Sequence, residues 1–150
     1  MFKTMYGDFL TPETVWMIKQ LTLAAVLGMI IGFEREHRRK PAGLRTYTLV
    51  ALGAALFTIL SSASVAGTSF DPARIAANVV VGIGFIGAGL IFMRGGHMEG
   101  LTTAAGLWAT AAIGMAAGFG FSAIAVYAAI LVLLVLWALR FLESTIHGNE

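Results

Sequence analysis

The sequence predicts an all-α polytopic membrane protein, with about five transmembrane helices held together by small-residue packing. Three observations predict it. Apolar residues make up 58% of the 150 and charged residues only 12%, with a mean hydropathy of +0.84, whereas soluble chains carry about 25% charged residues. The apolar residues fall in long runs. One strongly polar stretch, Gly32–Thr46, lies between two of those runs and holds five of the ten Lys and Arg and two of the eight acidic residues. A spanning helix needs about 20 residues, so five use about 100 and leave room for one domain, 1–150, and no large soluble one.

The same composition narrows the function classes. Net charge is +2 and the pI near 9.3, but the basic residues cluster beside apolar runs, which fits anionic lipid and argues against nucleic acid. With no cysteine, disulfides, thiol catalysis and Cys-based metal sites are excluded. The first residues mix Lys3 and Asp8 with aromatics and show no cleavage pattern, so the spanning helices themselves are expected to direct insertion.

Taken in order, Phe2, Met5, Tyr6, Phe9 and Leu10 share one helical face and predict a short interfacial helix. Thr11 before Pro12 is an N-cap and N1 pair, which opens a first span over about 12–33 with Trp16 near an interface. Lys19 fits two readings, a side chain snorkelling to the head groups or an intramembrane ion pair. Ala24, Gly28 and Gly32 recur every four residues, the pattern of a close helix contact. Glu34 and Arg38 stand at the favourable i, i+4 spacing and extend the helix toward water. Pro41 stops it.

Ala42 and Gly43 make the turn into a second span, about 44–63, with Arg45 and Thr46 at its start. Ser61 to Ser69 reads as a loop, and Asp71 before Pro72 caps a third span over about 72–92 that contains Asn78. Arg94 to Gly100 is the next polar turn. Thr102 or Thr103 is expected to cap the fourth span, about 102–118. Gly118 to Phe121 leads to a fifth, about 121–142, the helix expected to face lipid most fully.

Orientation is set by the charges in the connections. One side collects seven basic residues (Arg35, Arg38, Arg39, Lys40, Arg45, Arg94 and Arg140), and the other two, Lys3 and Arg74, or three with Lys19. The positive-inside rule then puts the N-terminus outside and the C-terminus in the cytoplasm.

Gly82, Gly84, Gly87 and Gly89 contain a GxGxxG spacing, but a dinucleotide fingerprint needs a strand, a turn and a helix. Within an apolar run these glycines point to close packing or a locally unwound helix. Gly106, Thr110, Gly114 and Gly118 form a second strip, suited to internal packing or to a homodimer seam. The candidate functional residues are Glu34, Arg45, Asn78, Thr102 and Thr103. Glu34 is expected to pair with Arg45, and the start of the fourth helix to offer free N–H groups to an anion; a topogenic ion pair is the structural alternative. Asn78 falls on the opposite side of its span. The histidines, His37, His97 and His147, stand alone in aqueous segments. A hydrated Mg²⁺ needs only one or two carboxylates, which leaves Glu34, Glu36 and Glu99 open as ligands on chemistry alone; the metal ligands are unknown, and no cofactor is expected.

Four stretches carry a resemblance: Ile31–Glu36, Ala42–Thr46, Gly82–Gly89 and Gly100–Trp108. In this order they resemble the MgtC/SapB family of bacterial inner-membrane proteins, over about 28–118. The resemblance implies a five-helix hydrophobic domain linked to magnesium homeostasis and, in pathogens, to virulence through survival inside host cells. It also implies an action on the proton-translocating ATP synthase, and a C-terminal ACT-like domain in the best-known member, for which the sequence leaves no room before Glu150. The expected function is therefore that of a non-enzymatic membrane regulator, which engages a second copy, with a homodimer favoured, or a partner such as the ATP synthase. A small cation or proton channel is the alternative.

Overall fold

The computed structural model describes residues 11–62 and 72–147. The expected interfacial helix over 2–10, the loop beyond Ser62 and the Asp71 cap lie outside the described residues. Among the described residues the order is α1 (Pro12–His37), α2 (Leu44–Ser62), α3 (Pro72–Ala88), a hairpin of β1 (Phe92–Arg94) and β2 (His97–Glu99), α4 (Leu101–Gly118) and α5 (Ser122–His147). Of these, α1, α2 and α4 are long and apolar enough to cross a membrane, with shorter apolar helices at Ala76–Ala88 and Ser122–Ala138. The chain is an all-α membrane protein.

The start of α1 is fixed by its cap. The Thr14 N–H donates to Thr11 Oγ1 at 3.1 Å, and Pro12 opens the helix. Its end lies beyond the expected residue 33, because the helix runs on to His37 and then closes by a Schellman pattern. The Lys40 N–H donates to the Arg35 carbonyl and the Arg39 N–H to the Glu36 carbonyl. Glycine usually fills the left-handed position of this motif; here Arg39 does, at φ 52°.

α2 is the central helix. Small residues of α1 meet one side of it and small residues of α4 the other. A Cβ at Gly28 would come within 2.7 Å of Ala51, and one at Gly32 within 2.9 Å of Tyr47. From α4, Gly114 sits against the Ala51 backbone, Gly118 against Ala55 and Thr58, and Gly106 against the Tyr47 hydroxyl. Ala51 is thus held between Gly28 and Gly114, and Tyr47 between Gly32 and Gly106. The buried core lies along this contact: Ala24, Ile31, Tyr47, Ala55, Leu107 and Ala117 are essentially inaccessible. With no hydrophobic force between helices in lipid, close backbone approach of this kind supplies dispersion. α1 and α4 each give α2 a small-residue stripe, so the strip on α4 is taken up inside the chain and is not free to form a dimer seam.

α3 is held less tightly. It is one continuous helix through Gly82, Gly84 and Gly87, so the glycines do not unwind it. It stops at Ala88, short of the expected residue 92, and Phe92 opens the hairpin instead. Arg94 pairs with His97, and Gly95 (φ 59°) and Gly96 (φ 82°) make the two-residue turn. Both central residues need positive φ in such a turn, which the Gly-Gly pair supplies. Gly100 (φ 91°) then caps α4 with no side-chain bond. The expected cap from Thr102 or Thr103 does not form, because both lie inside the first turn.

α5 packs through Ala125, Ala129 and Leu136 and exposes Ile124, Tyr127, Ile130 and Val135. Ser122 donates to Gln20 at 2.9 Å, which ties its start to α1. α3 also presents large apolar side chains outward, Val81 at 74% and Phe85 at 84% exposure.

Candidate functional site at the basic end of the bundle

Four chain segments meet where α1 ends, α2 begins, α3 ends and α4 begins. Glu34 lies in the last turns of α1 and faces two guanidinium groups, those of Arg35 in the same helix and of Arg38 at its C-cap. Arg35 Nε pairs with Oε2, and Arg38 Nε lies 3.4 Å from Oε1. The pairing with Arg45 expected from sequence does not occur. Arg45 is exposed on the first turn of α2 and has no ion-pair partner among the described residues. Arg35 takes its place because it shares the buried face of α1 with Gly28, Ile31 and Gly32, and only 3% of it is accessible.

Beside this pair stands Tyr47, fully buried, whose hydroxyl donates to the Thr103 carbonyl at 3.1 Å. This bond joins the second and fourth helices at the level of the ion pair. It passes over Gly106, where a Cβ would lie 2.6 Å from the hydroxyl oxygen. Thr103 therefore serves through its backbone, while Thr102 is exposed on the first turn of α4. Glu36 has a separate task. Its Oε2 accepts the Leu44 N–H at 2.7 Å and so satisfies one of the free donors at the start of α2. Gly43 leaves room for it, since a Cβ there would lie 2.7 Å from that same oxygen.

Asn78 belongs to a different place. It lines a groove of about 800 Å³ between α2 and α3, together with Arg45, Leu49, Gly53, Phe57 and Gly82. Ala54 and Ile83 meet in its floor. Arg45 lies nine residues from Ala54 and Asn78 five residues from Ile83, in opposite directions along the bundle, which separates them by about 20 Å at 1.5 Å per residue. The site thus divides into a closed network, Glu34, Arg35, Arg38, Tyr47 and Thr103, and an open groove with Arg45 at one end and Asn78 toward the other.

The glycines divide in the same way. Gly28, Gly32, Gly106, Gly114 and Gly118 have close neighbours inside the chain. A Cβ at Gly87 would meet Ala104 at 3.6 Å, and one at Gly89 only the end of its own helix. At Gly82 and Gly84 a Cβ would find nothing within 4 Å.

No group of three His, Asp or Glu side chains is placed to hold a metal among the described residues. Glu34 Oε2 is taken by Arg35 and Glu36 Oε2 by the Leu44 N–H, while Glu34 Oε1 is buried with no hydrogen bond and has Arg38 Nε at 3.4 Å. His97 and Glu99 are exposed on the hairpin. Sequence reasoning singles out neither Arg35 nor Tyr47, and Glu36 only as a carboxylate open to Mg²⁺ and not as the cap of α2. The spacing of Gly28, Ile31, Gly32 and Arg35 carries a signal for Arg35; nothing local marks the other two.

A bundle of apolar helices closed by an internal ion pair and glycine contacts defines a small polytopic membrane protein. The chain belongs to the MgtC family, whose profile matches residues 21–145. YhiD of Escherichia coli K12, named provisionally as a magnesium transporter, is 48% identical over 129 residues, covering 82% of this chain and 60% of that protein. Protein MgtC of Brucella suis biovar 1 is 50% identical over 117 residues, 78% of this chain and 48% of that one. An uncharacterised protein of Haemophilus influenzae is 38% identical over 147 residues, with 93% and 62% covered. The chain therefore spans between 48% and 62% of the length of these curated relatives. No solved structure matches it.

Proposed function

We propose that the chain is a non-enzymatic regulator in the bacterial inner membrane, linked to magnesium homeostasis, with its N-terminus outside and the basic end in the cytoplasm. The observation that carries this reading is how the interior polar groups are used. Thr58 and Thr110 donate to carbonyls of their own helices at 2.8 Å, Tyr47 to Thr103, and Arg35 to Glu34. Glycine contacts fill the space between α1, α2 and α4. A conduction route needs a row of available polar groups, and this arrangement supports a scaffold over a pore. The outward side of α3, with Gly84 and the exposed Phe85, offers a face for a second copy or a membrane partner such as the ATP synthase. The excess of basic residues at one end supports the orientation, and membership of the MgtC family with a YhiD relative provisionally named for magnesium supports the link to magnesium.

One observation favours a second reading, magnesium transport: the provisional name of the E. coli relative. Flux into proteoliposomes separates the two. A regulator gives Mg²⁺, Ca²⁺ and proton flux no greater than empty vesicles. Saturable flux lost in Glu34→Gln or Asn78→Ala establishes transport instead.

A further inference from the structure

We propose that the groove between α2 and α3 holds one anionic phospholipid from the leaflet at the basic end, its phosphate on Arg45 and an acyl chain along Leu49, Gly53 and Gly82 toward Phe57. This inference is independent of whether the chain regulates or transports.

The size of the groove points to a lipid chain. Its volume of about 800 Å³ falls within the range of small-molecule sites, about 300–1,000 Å³. From Arg45 to Phe57 is 12 residues of α2, about 18 Å at the helical rise. One leaflet contributes about half of a 30 Å hydrocarbon core, so the groove runs the depth of a single leaflet.

Charge points to the head group. Of the arginines at this end, Arg35 is buried on Glu34 and Arg38 faces the same carboxylate, while Arg39 and Arg94 are exposed and do not line the groove. Arg45 has no ion-pair partner among the described residues, and the groove adds the Thr46 side chain beside it. A cation at the end of an apolar groove in a membrane-spanning chain is complementary to an anionic head group with its chain attached. A second copy docked by a two-fold axis along the membrane normal would set Arg45 against Arg45. Asn78, about 20 Å from Arg45, lies outside the head-group end.

The test is native mass spectrometry of the delipidated protein given equimolar phosphatidylglycerol and phosphatidylcholine with identical chains. The expected result is one retained lipid, with phosphatidylglycerol preferred about fivefold, the weight of one basic side chain near a membrane surface. Arg45→Ala removes the preference, whereas Lys40→Ala, an exposed cation at the same end, and Asn78→Ala keep it. Gly53→Leu, at a position where a Cβ meets nothing within 4 Å, lowers retention of both lipids. An unchanged preference in Arg45→Ala, or an equal loss in Lys40→Ala, overturns the proposal in favour of a diffuse basic belt. Competition by excess glycerol 3-phosphate overturns it in favour of a head-group anion site without the chain. A dimer that Gly53→Leu converts to monomer assigns the groove to a second copy.

Discussion

The carboxylate of Glu36, at the end of the first helix, caps the second helix by accepting the Leu44 N–H at 2.7 Å. One side chain thus fixes the turn around Pro41 and the start of α2 together, and Gly43 gives it space. Replacing Glu36 by Ala leaves that donor without its partner. Loss of a side-chain cap costs about 0.5–2 kcal/mol, so Glu36→Ala is expected to lower the thermal midpoint, and Gly43→Ala to do the same by displacing the carboxylate. A midpoint equal to wild type in both variants would falsify the capping role.

Glu34 and Arg35 depend on each other. Their side chains are 18% and 4% accessible, and removing one partner of a buried pair costs about 3–5 kcal/mol because the other charge is left behind. Arg38 shares the carboxylate and softens the loss of Arg35, so Glu34→Ala is expected to be the more damaging variant. A Glu34→Leu/Arg35→Met double variant should recover much of the stability, as read by unfolding in detergent. Additive losses in that cycle would show that the two charges act separately.

Tyr47→Phe deletes the bond to the Thr103 carbonyl without emptying the space between Gly32 and Gly106. Interhelical hydrogen bonds in membranes average about 0.6 kcal/mol, so a small fall in midpoint is expected, with helicity unchanged. Tyr47→Ala, which also opens a cavity, should lose about 3–5 kcal/mol by analogy with large-to-small aromatic substitutions. Similar losses in the two variants would mean that the hydroxyl, and not the ring, holds α2 in place.

Arg39 occupies a left-handed conformation at φ 52° that disfavours residues with a Cβ by about 1–2 kcal/mol. Arg39→Gly is therefore expected to raise the midpoint, by less than that full amount because glycine also frees the unfolded chain. A lowered midpoint would show that the Arg39 side chain contributes contacts that outweigh its backbone strain.

Helix placement is legible in the sequence because Thr11, Pro12, Pro41 and Pro72 act locally, and the i, i+4 small residues declare a packing face. The third helix reads four residues too long, since Leu90 and Ile91 are apolar and the signal for a hairpin is confined to Gly95 and Gly96. The ion pair is misassigned by sequence for a different reason. Glu34 and Arg45 both border the same turn in the sequence, but the rotation of α1 puts Arg35 inside and the first turn of α2 puts Arg45 outside. Side-chain direction at helix ends is set by packing, and no local pattern reports it. Tyr47 reaches a residue 56 positions away, a contact that only the assembled bundle makes.

Ala51 is clasped from both sides by glycines of other helices, while a Cβ at Gly53, Gly82 or Gly84 would meet nothing within 4 Å. A genetic screen can use this difference without any assay of mechanism. Bulk at Gly28 or Gly114 should deplete the protein itself, and variants there will be lost with its abundance. Bulk at Gly53, Gly82 or Gly84 should leave abundance intact, so a lost phenotype at those three positions reports something outside the chain that reads its surface.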